Sequence, residues 1–162
     1  MTAPHPVRPV DDSFFETAPL VIPVTVELAA TPAQVWEALG SDEMWSWLPV
    51  LDQLRWLTPR PHEQGAVRVL RVLRLATIEE HFYRWEAERR ATFHVTSATR
   101  PLLDALAEDF VLEPTATGTR LTWIMAVGPK LPGARFLRFL VPLLKPGNKL
   151  AIGGIRKILP RG

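Results

Sequence analysis

The sequence predicts an α+β domain, an antiparallel sheet covered by one C-terminal helix. Three observations carry this. An early strand and two short helical segments are followed by six strand-like segments in a row. Short turns join neighbouring strands, as antiparallel hairpins require. From Pro132 onward the pattern turns helical. With 162 residues, 47% hydrophobic and 22% charged, the chain has the size of one domain with a real core and is not globally disordered.

Residues 1–18 read as a flexible leader, proline-rich and then acidic, ahead of a single domain over 19–162. The leader lacks the basic start and apolar stretch of a secretory signal, which sets a cytoplasmic location as the expectation. Val21–Leu28 alternates, with Val24, Val26 and Leu28 on one face, and reads as a half-buried strand. Thr31-Pro32, with Gln34 at the third helical position, is a helix-start signature. Val35, Trp36 and Leu39 then form an apolar stripe that Gly40 ends. Ser41–Leu48 reads as a second short helix, stopped by Pro49.

Strands are expected over Leu51–Leu57 and Val67–Leu75, the latter after Gly65. Thr77–Trp85 and Ala91–Ala98 flank the charged link 86–90, and Leu106–Leu112 and Arg120–Val127 flank 114–119 with Gly118 in the turn. Both read as hairpins. In the last segment, Phe136, Leu137, Phe139, Leu140, Leu143 and Leu144 repeat at helical spacing. Pro142 and Lys145-Pro146-Gly147 are expected to kink or break that helix, and a second piece over Lys149–Leu159 ends at Pro160. No apolar run approaches the roughly 20 residues of a membrane span.

Several chemistries lose their footing. There is no cysteine, which removes disulfides, thiolate catalysis and cysteine-bound zinc. No histidine pair has metal-ligand spacing, and His62-Glu63 stands without a second histidine. Neither a glycine-rich phosphate loop nor a Gly-x-Ser-x-Gly elbow occurs. The expectation is therefore a protein with no metal and no cofactor.

The layout resembles the START/polyketide-cyclase-like (SRPBCC) superfamily, polyketide cyclase/dehydrase-like branch. The residues that carry the resemblance are VELAATPAQVWEAL, MWSWLPVLDQLRWL, Gly65 before its strand, TIEEHFYRWEAERRATFHV and GTRLTWIMAV, followed by the amphipathic C-terminal stretch. The match runs over nearly the whole chain from about Pro19. These patterns speak to the fold, and their order and spacing make the match. The resemblance implies a helix-grip fold: a curved antiparallel seven-stranded sheet wrapped around a long C-terminal helix, with two short helices after the first strand. It also implies a cavity for a hydrophobic or aromatic molecule, lipid or polyketide-like. Some members cyclise or dehydrate such a ligand. The prolines of the last helix depart from the usual continuous helix.

Strand alternation sorts the candidate site residues. Ile78, Glu80 and Phe82 share the more apolar face of their strand, so Glu80 is expected inward as a general acid or base, or paired with an inward arginine. Arg71 lies between Val69 and Leu73 and is the candidate inward guanidinium, with a surface arginine ladder as the alternative. Arg68 and Arg74 fall on the opposite face. His94 and, by the same logic, His81 are expected outward. Trp45, Trp47 and Trp56 cluster where the family has a cavity wall. With Ile78, Phe82, Phe93, Trp123, Met125, Phe136, Phe139, Leu140 and Leu143 they form the expected ligand-lining set. Structural packing explains the tryptophans equally well.

Charge is divided along the chain. All 17 acidic residues and 10 of the 19 basic ones lie in 1–113, and the last 49 residues hold the remaining nine basic residues and no acid. Three readings are open for this basic end: the solvent face of a core-packing helix, a weak contact with an anionic membrane surface, or nucleic acid binding. The first is preferred because the fold needs the apolar stripe to cover the sheet. Nucleic acid is not expected, since strand faces interleaving basic and aromatic residues are missing.

Overall fold

The computed structural model describes residues 4–161. Seven long strands form the curled antiparallel sheet that the sequence predicts. In chain order they are β2 (Leu20–Leu28), β3 (Leu51–Trp56), β4 (Val67–Val72), β5 (Ala76–Glu86), β6 (Arg90–Ala98), β7 (Leu103–Thr115) and β8 (Gly118–Pro129). Their spatial order is β2-β8-β7-β6-β5-β4-β3, so β2 and β3 are the two edges. Apart from the β2–β8 pair, every neighbour is also a neighbour in sequence, which follows from the short hairpin links.

On β2, Ile22, Val24, Val26 and Leu28 are buried and Pro23, Thr25 and Glu27 exposed, the expected alternation. Pro23 is tolerated because β2 is an edge strand. Helix α2 (Pro32–Leu39) starts where the sequence places it. The amide of Gln34 donates to Thr31 Oγ1 at 3.3 Å, and the amide of Thr31 donates to Gln34 Oε1 at 2.9 Å. Between β7 and β8 the turn needs Gly118. Its φ is +152°, and a Cβ there would collide with the carbonyl of Leu28.

Four expectations are corrected. First, the leader is not loose over its described part, residues 1–3 lying outside it. β1 (His5–Pro6) pairs with Ser97 and Ala98 at the end of β6, just where the β6–β7 ladder has stopped at His94. Helix α1 (Phe14–Thr17) then buries Phe14 on Ala105, Ala107 and Ala126, on the outer face of the sheet. Second, residues 41–48 form successive turns rather than a helix, because Trp45 sits at φ 70° and breaks the right-handed path. Third, β4 ends at Val72. Leu73, Arg74 and Leu75 make a turn with φ 53° and 58° at the first two. Fourth, the last helix is not broken at its prolines. A 3₁₀ segment (Ala134–Leu140) leads into α3 (Val141–Gly153), and a second one (Gly154–Lys157) follows. Pro142 lies in the first turn, where its missing N–H costs nothing, and the helix continues through Pro146.

The main core lies on the concave face, under α2 and α3. From α3 and the 3₁₀ turn that follows it, Val141, Leu144, Ala151, Ile152 and Ile155 point into it, a stripe at helical spacing. Among the described residues, no helix is long and apolar enough to cross a membrane.

Candidate functional site

The concave face holds two charged side chains deep in the core. Arg68 of β4 and Glu80 of β5 stand opposite each other in the ladder, 2% and 3% exposed. Arg68 Nε donates to Glu80 Oε2 at 2.6 Å. The guanidinium lies 5.2, 5.1 and 5.5 Å from the ring centres of Trp56, Phe82 and Phe93, within cation–π range. Its Nη2 is buried and has no hydrogen-bond partner, and the same holds for Trp56 Nε1. Burial pushes the Glu80 carboxyl up, and the charge of Arg68 pulls it back.

A second carboxyl faces the same interior. Glu108 of β7 accepts from Trp123 Nε1 at 2.8 Å. Burial pushes its pKa up to about 8; the nearby charge of Glu80 adds to this, and the Trp123 bond and Arg68 oppose it. The site therefore combines two carboxyls pushed up by burial, one of them held by arginine, and free buried donors. Chemically it can hold an oxygen at Arg68 and exchange a proton at Glu108.

Tryptophans connect this interior to a recess. Trp123 packs on Trp45 at 5.2 Å and Trp45 on Trp47 at 5.7 Å. Trp47 donates its Nε1–H to the carbonyl of Ala151 at 2.7 Å and lines a recess of about 1210 Å³ between β2 and α3. Gly154 permits this seat, since a Cβ there would strike the Trp47 ring. At the β3 edge, Trp56 stacks on His62 at 3.8 Å, and both line a second recess of about 690 Å³. Burial lowers the His62 pKa, with Arg60 adding to the effect. Among the described residues, no three His, Asp or Glu side chains gather as a metal site.

Of the residues singled out in the sequence, Glu80, Ile78, Phe82, Phe93, Trp45 and Trp123 lie buried on the concave side, with Trp47, Trp56 and Met125 partly buried against them. Arg71 does not join them. It faces the other side, forked onto Asp52 at 2.8 and 2.6 Å, and lines the 690 Å³ recess. The reason is the early turn: closing β4 at Val72 sets the register that puts Arg68, not Arg71, opposite Glu80. Phe136, Phe139, Leu140 and Leu143 are also absent from the interior, because they project from the solvent side of the last helix. Trp85, which alternation sends outward, points in. A bulge at Tyr83 shifts the β5–β6 register, and Trp85 packs on Trp36, Phe82 and Trp56. His94 and His81 are on the outer face, with His94 Nδ1 donating to the carbonyl of Val10 at 2.8 Å. Glu108 was legible from Leu106, Phe110 and Leu112 on its face, the same signal that marked Glu80.

Residues 20–158 match the family described as polyketide cyclase / dehydrase and lipid transport. An uncharacterised protein of Mycobacterium tuberculosis is 34% identical over 143 residues, 86% of each chain. Among solved structures, a START superfamily protein from Mycobacterium smegmatis superposes with a TM-score of 0.67 at 16% identity, covering 85% of this chain and 98% of that one. An aromatase/cyclase from a Streptomyces species gives 0.66 at 16% identity, over 86% and 92%. At that identity the two structures establish a shared fold.

Proposed function

The chain belongs to the polyketide cyclase/dehydrase and lipid transport family, and from that premise we propose that it binds a small hydrophobic or aromatic molecule, lipid or polyketide-like. The ligand's ring or chain lies among the concave-face aromatics and its one polar oxygen lies at Arg68. The observation that carries this reading is the guanidinium itself. It spends one N–H on Glu80 and leaves Nη2 buried and unpartnered among three rings. An orphaned buried donor costs on the order of 1–3 kcal/mol, which a ligand oxygen would recover. Trp56 Nε1 offers a second such donor.

Arg68→Lys tests it, because lysine keeps the charge opposite Glu80 and loses the fork. Binding of a panel of aromatic polyketides and fatty acids, read by tryptophan fluorescence, should weaken by about tenfold or more. Equal affinity of the variant for every ligand that the natural protein binds would overturn the assignment, as would a panel without any binder.

A second reading is favoured by Glu108: a cyclase- or dehydratase-like step. A carboxyl with a pKa of about 8 still holds its proton at neutral pH and would give it to a departing hydroxyl, which leaves as water. Arg68 would hold the adjoining carbonyl oxygen while Glu80 takes the proton from the carbon between the carbonyl and the hydroxyl, so that C–H and C–O break as C=C forms, water leaves, and Glu108 ends ionised with Glu80 protonated.

A further inference from the structure

The last helical segment carries two apolar stripes, and the fold uses only one. The inner stripe of Val141, Leu144, Ile152 and Ile155 packs on the core. The outer stripe of Phe136, Phe139, Leu140, Leu143 and Leu150 stands in solvent, with Leu143 77% and Leu150 80% exposed. A helix that merely covers a sheet has a polar outer face. Contiguous large apolar side chains on a surface mark a docking site.

Charge identifies the occupant. Lys130, Arg135, Arg138, Lys145, Lys149 and Lys157 are exposed along the same stretch of chain, and no acidic residue occurs after Glu113. As the preferred sequence reading has it, these cations stand on the solvent side of a core-packing helix, and among the described residues none is held by a close acidic partner. A second copy of the chain would bring the same unpaired cations face to face. We propose that this face docks on the surface of an anionic lipid bilayer, with the phenylalanines and leucines in the interface and the lysines and arginines at the headgroups. Docking does not depend on the ligand assigned to Arg68. It does place the 1210 Å³ recess beside the bilayer, since Lys149 and Leu150 belong to both the recess and the face.

Cosedimentation with vesicles tests the proposal. The protein should pellet with mixed phosphatidylcholine–phosphatidylglycerol vesicles at low salt, remain in solution with phosphatidylcholine alone, and be released as salt rises. Phe136→Ser with Phe139→Ser and Leu143→Ser should weaken binding by about tenfold or more, and Lys145→Glu with Lys149→Glu by a similar factor. The changed side chains are exposed, so circular dichroism should match that of the natural protein. Failure to pellet with the anionic vesicles, equal binding by the serine variant, or a light-scattering mass showing a dimer that the serine variant abolishes would each overturn it.

Discussion

Each face of the sheet carries an arginine on a buried carboxylate, and the two are built differently: Arg68 is buried with Glu80, while Arg90 covers Asp109 from the surface with its side chain 36% exposed. On the outer face Asp109 takes three contacts from Arg90, at 2.8 to 3.1 Å, and a fourth from Thr92 Oγ1 at 2.8 Å. Arg84 donates to Thr92 and to Asp12 of the leader, and Tyr83 donates to Asp12 as well. Among the described residues no buried side-chain atom of this network lacks a partner, and the network fastens the leader to the sheet. On the inner face Arg68 reaches Glu80 through Nε, and its Nη2 has no partner. The contrast teaches how to tell a clamp from a receptor: both bury a carboxylate under an arginine, but only the inner arginine keeps a buried donor for something else.

The largest expected effect breaks the inner pair. Arg68→Met strands Glu80 in the core and should cost about 3–5 kcal/mol in denaturant unfolding. Adding Glu80→Met should restore most of that, because an apolar pair fills the space without desolvated charge, while ligand binding stays lost. If the double variant binds ligand normally, the inner pair is only structural. The outer pair should behave in the opposite way. Asp109→Ala leaves Arg90 and Thr92 without their acceptor and should cost about 1–3 kcal/mol, with ligand affinity unchanged. A loss of affinity at constant stability would erase the distinction between the faces.

A dependence on pH sharpens the inner face alone. Because the folded pKa of Glu108 is raised to about 8, the native state holds a proton that the unfolded chain releases. Its contribution is present at low pH and is lost as pH rises from about 4.5 toward 8, by at most about 1.4 kcal/mol per unit. Glu108→Gln should flatten the fall in stability over that window. An unchanged slope in unfolding titrations would show that Glu108 is ionised and solvated.

What the sequence reveals follows from which signals are local. The capping box at Thr31, the alternation of β2 and the glycine turn at 118 are set by neighbouring residues, and all three are legible. Facing across β4 is not local. It depends on a turn through Leu73, Arg74 and Leu75, none of them a customary turn residue, and valines and leucines occupy both faces of the strand. One misplaced turn therefore exchanges Arg68 for Arg71. Trp85 is hidden for a similar reason, because a bulge leaves no mark in composition. Glu108 was readable from its apolar neighbours. The outward apolar stripe was visible as periodicity, but periodicity does not say which of two stripes the sheet takes.

The alanines under Phe14 bear on where this domain can be cut. The family match begins at Leu20, and composition also draws a boundary near residue 19. A truncation there would remove β1 from the end of β6, freeing the main-chain groups of Thr96 and Asp104 that Val7 and Arg8 now bond. It would also uncover a shallow apolar floor at Ala105, Ala107 and Ala126. A vacant ladder position beside an apolar dent invites strand addition from another chain. The leader thus covers a ladder end and an apolar dent, and the unit that keeps both covered begins well before the unit that defines the family.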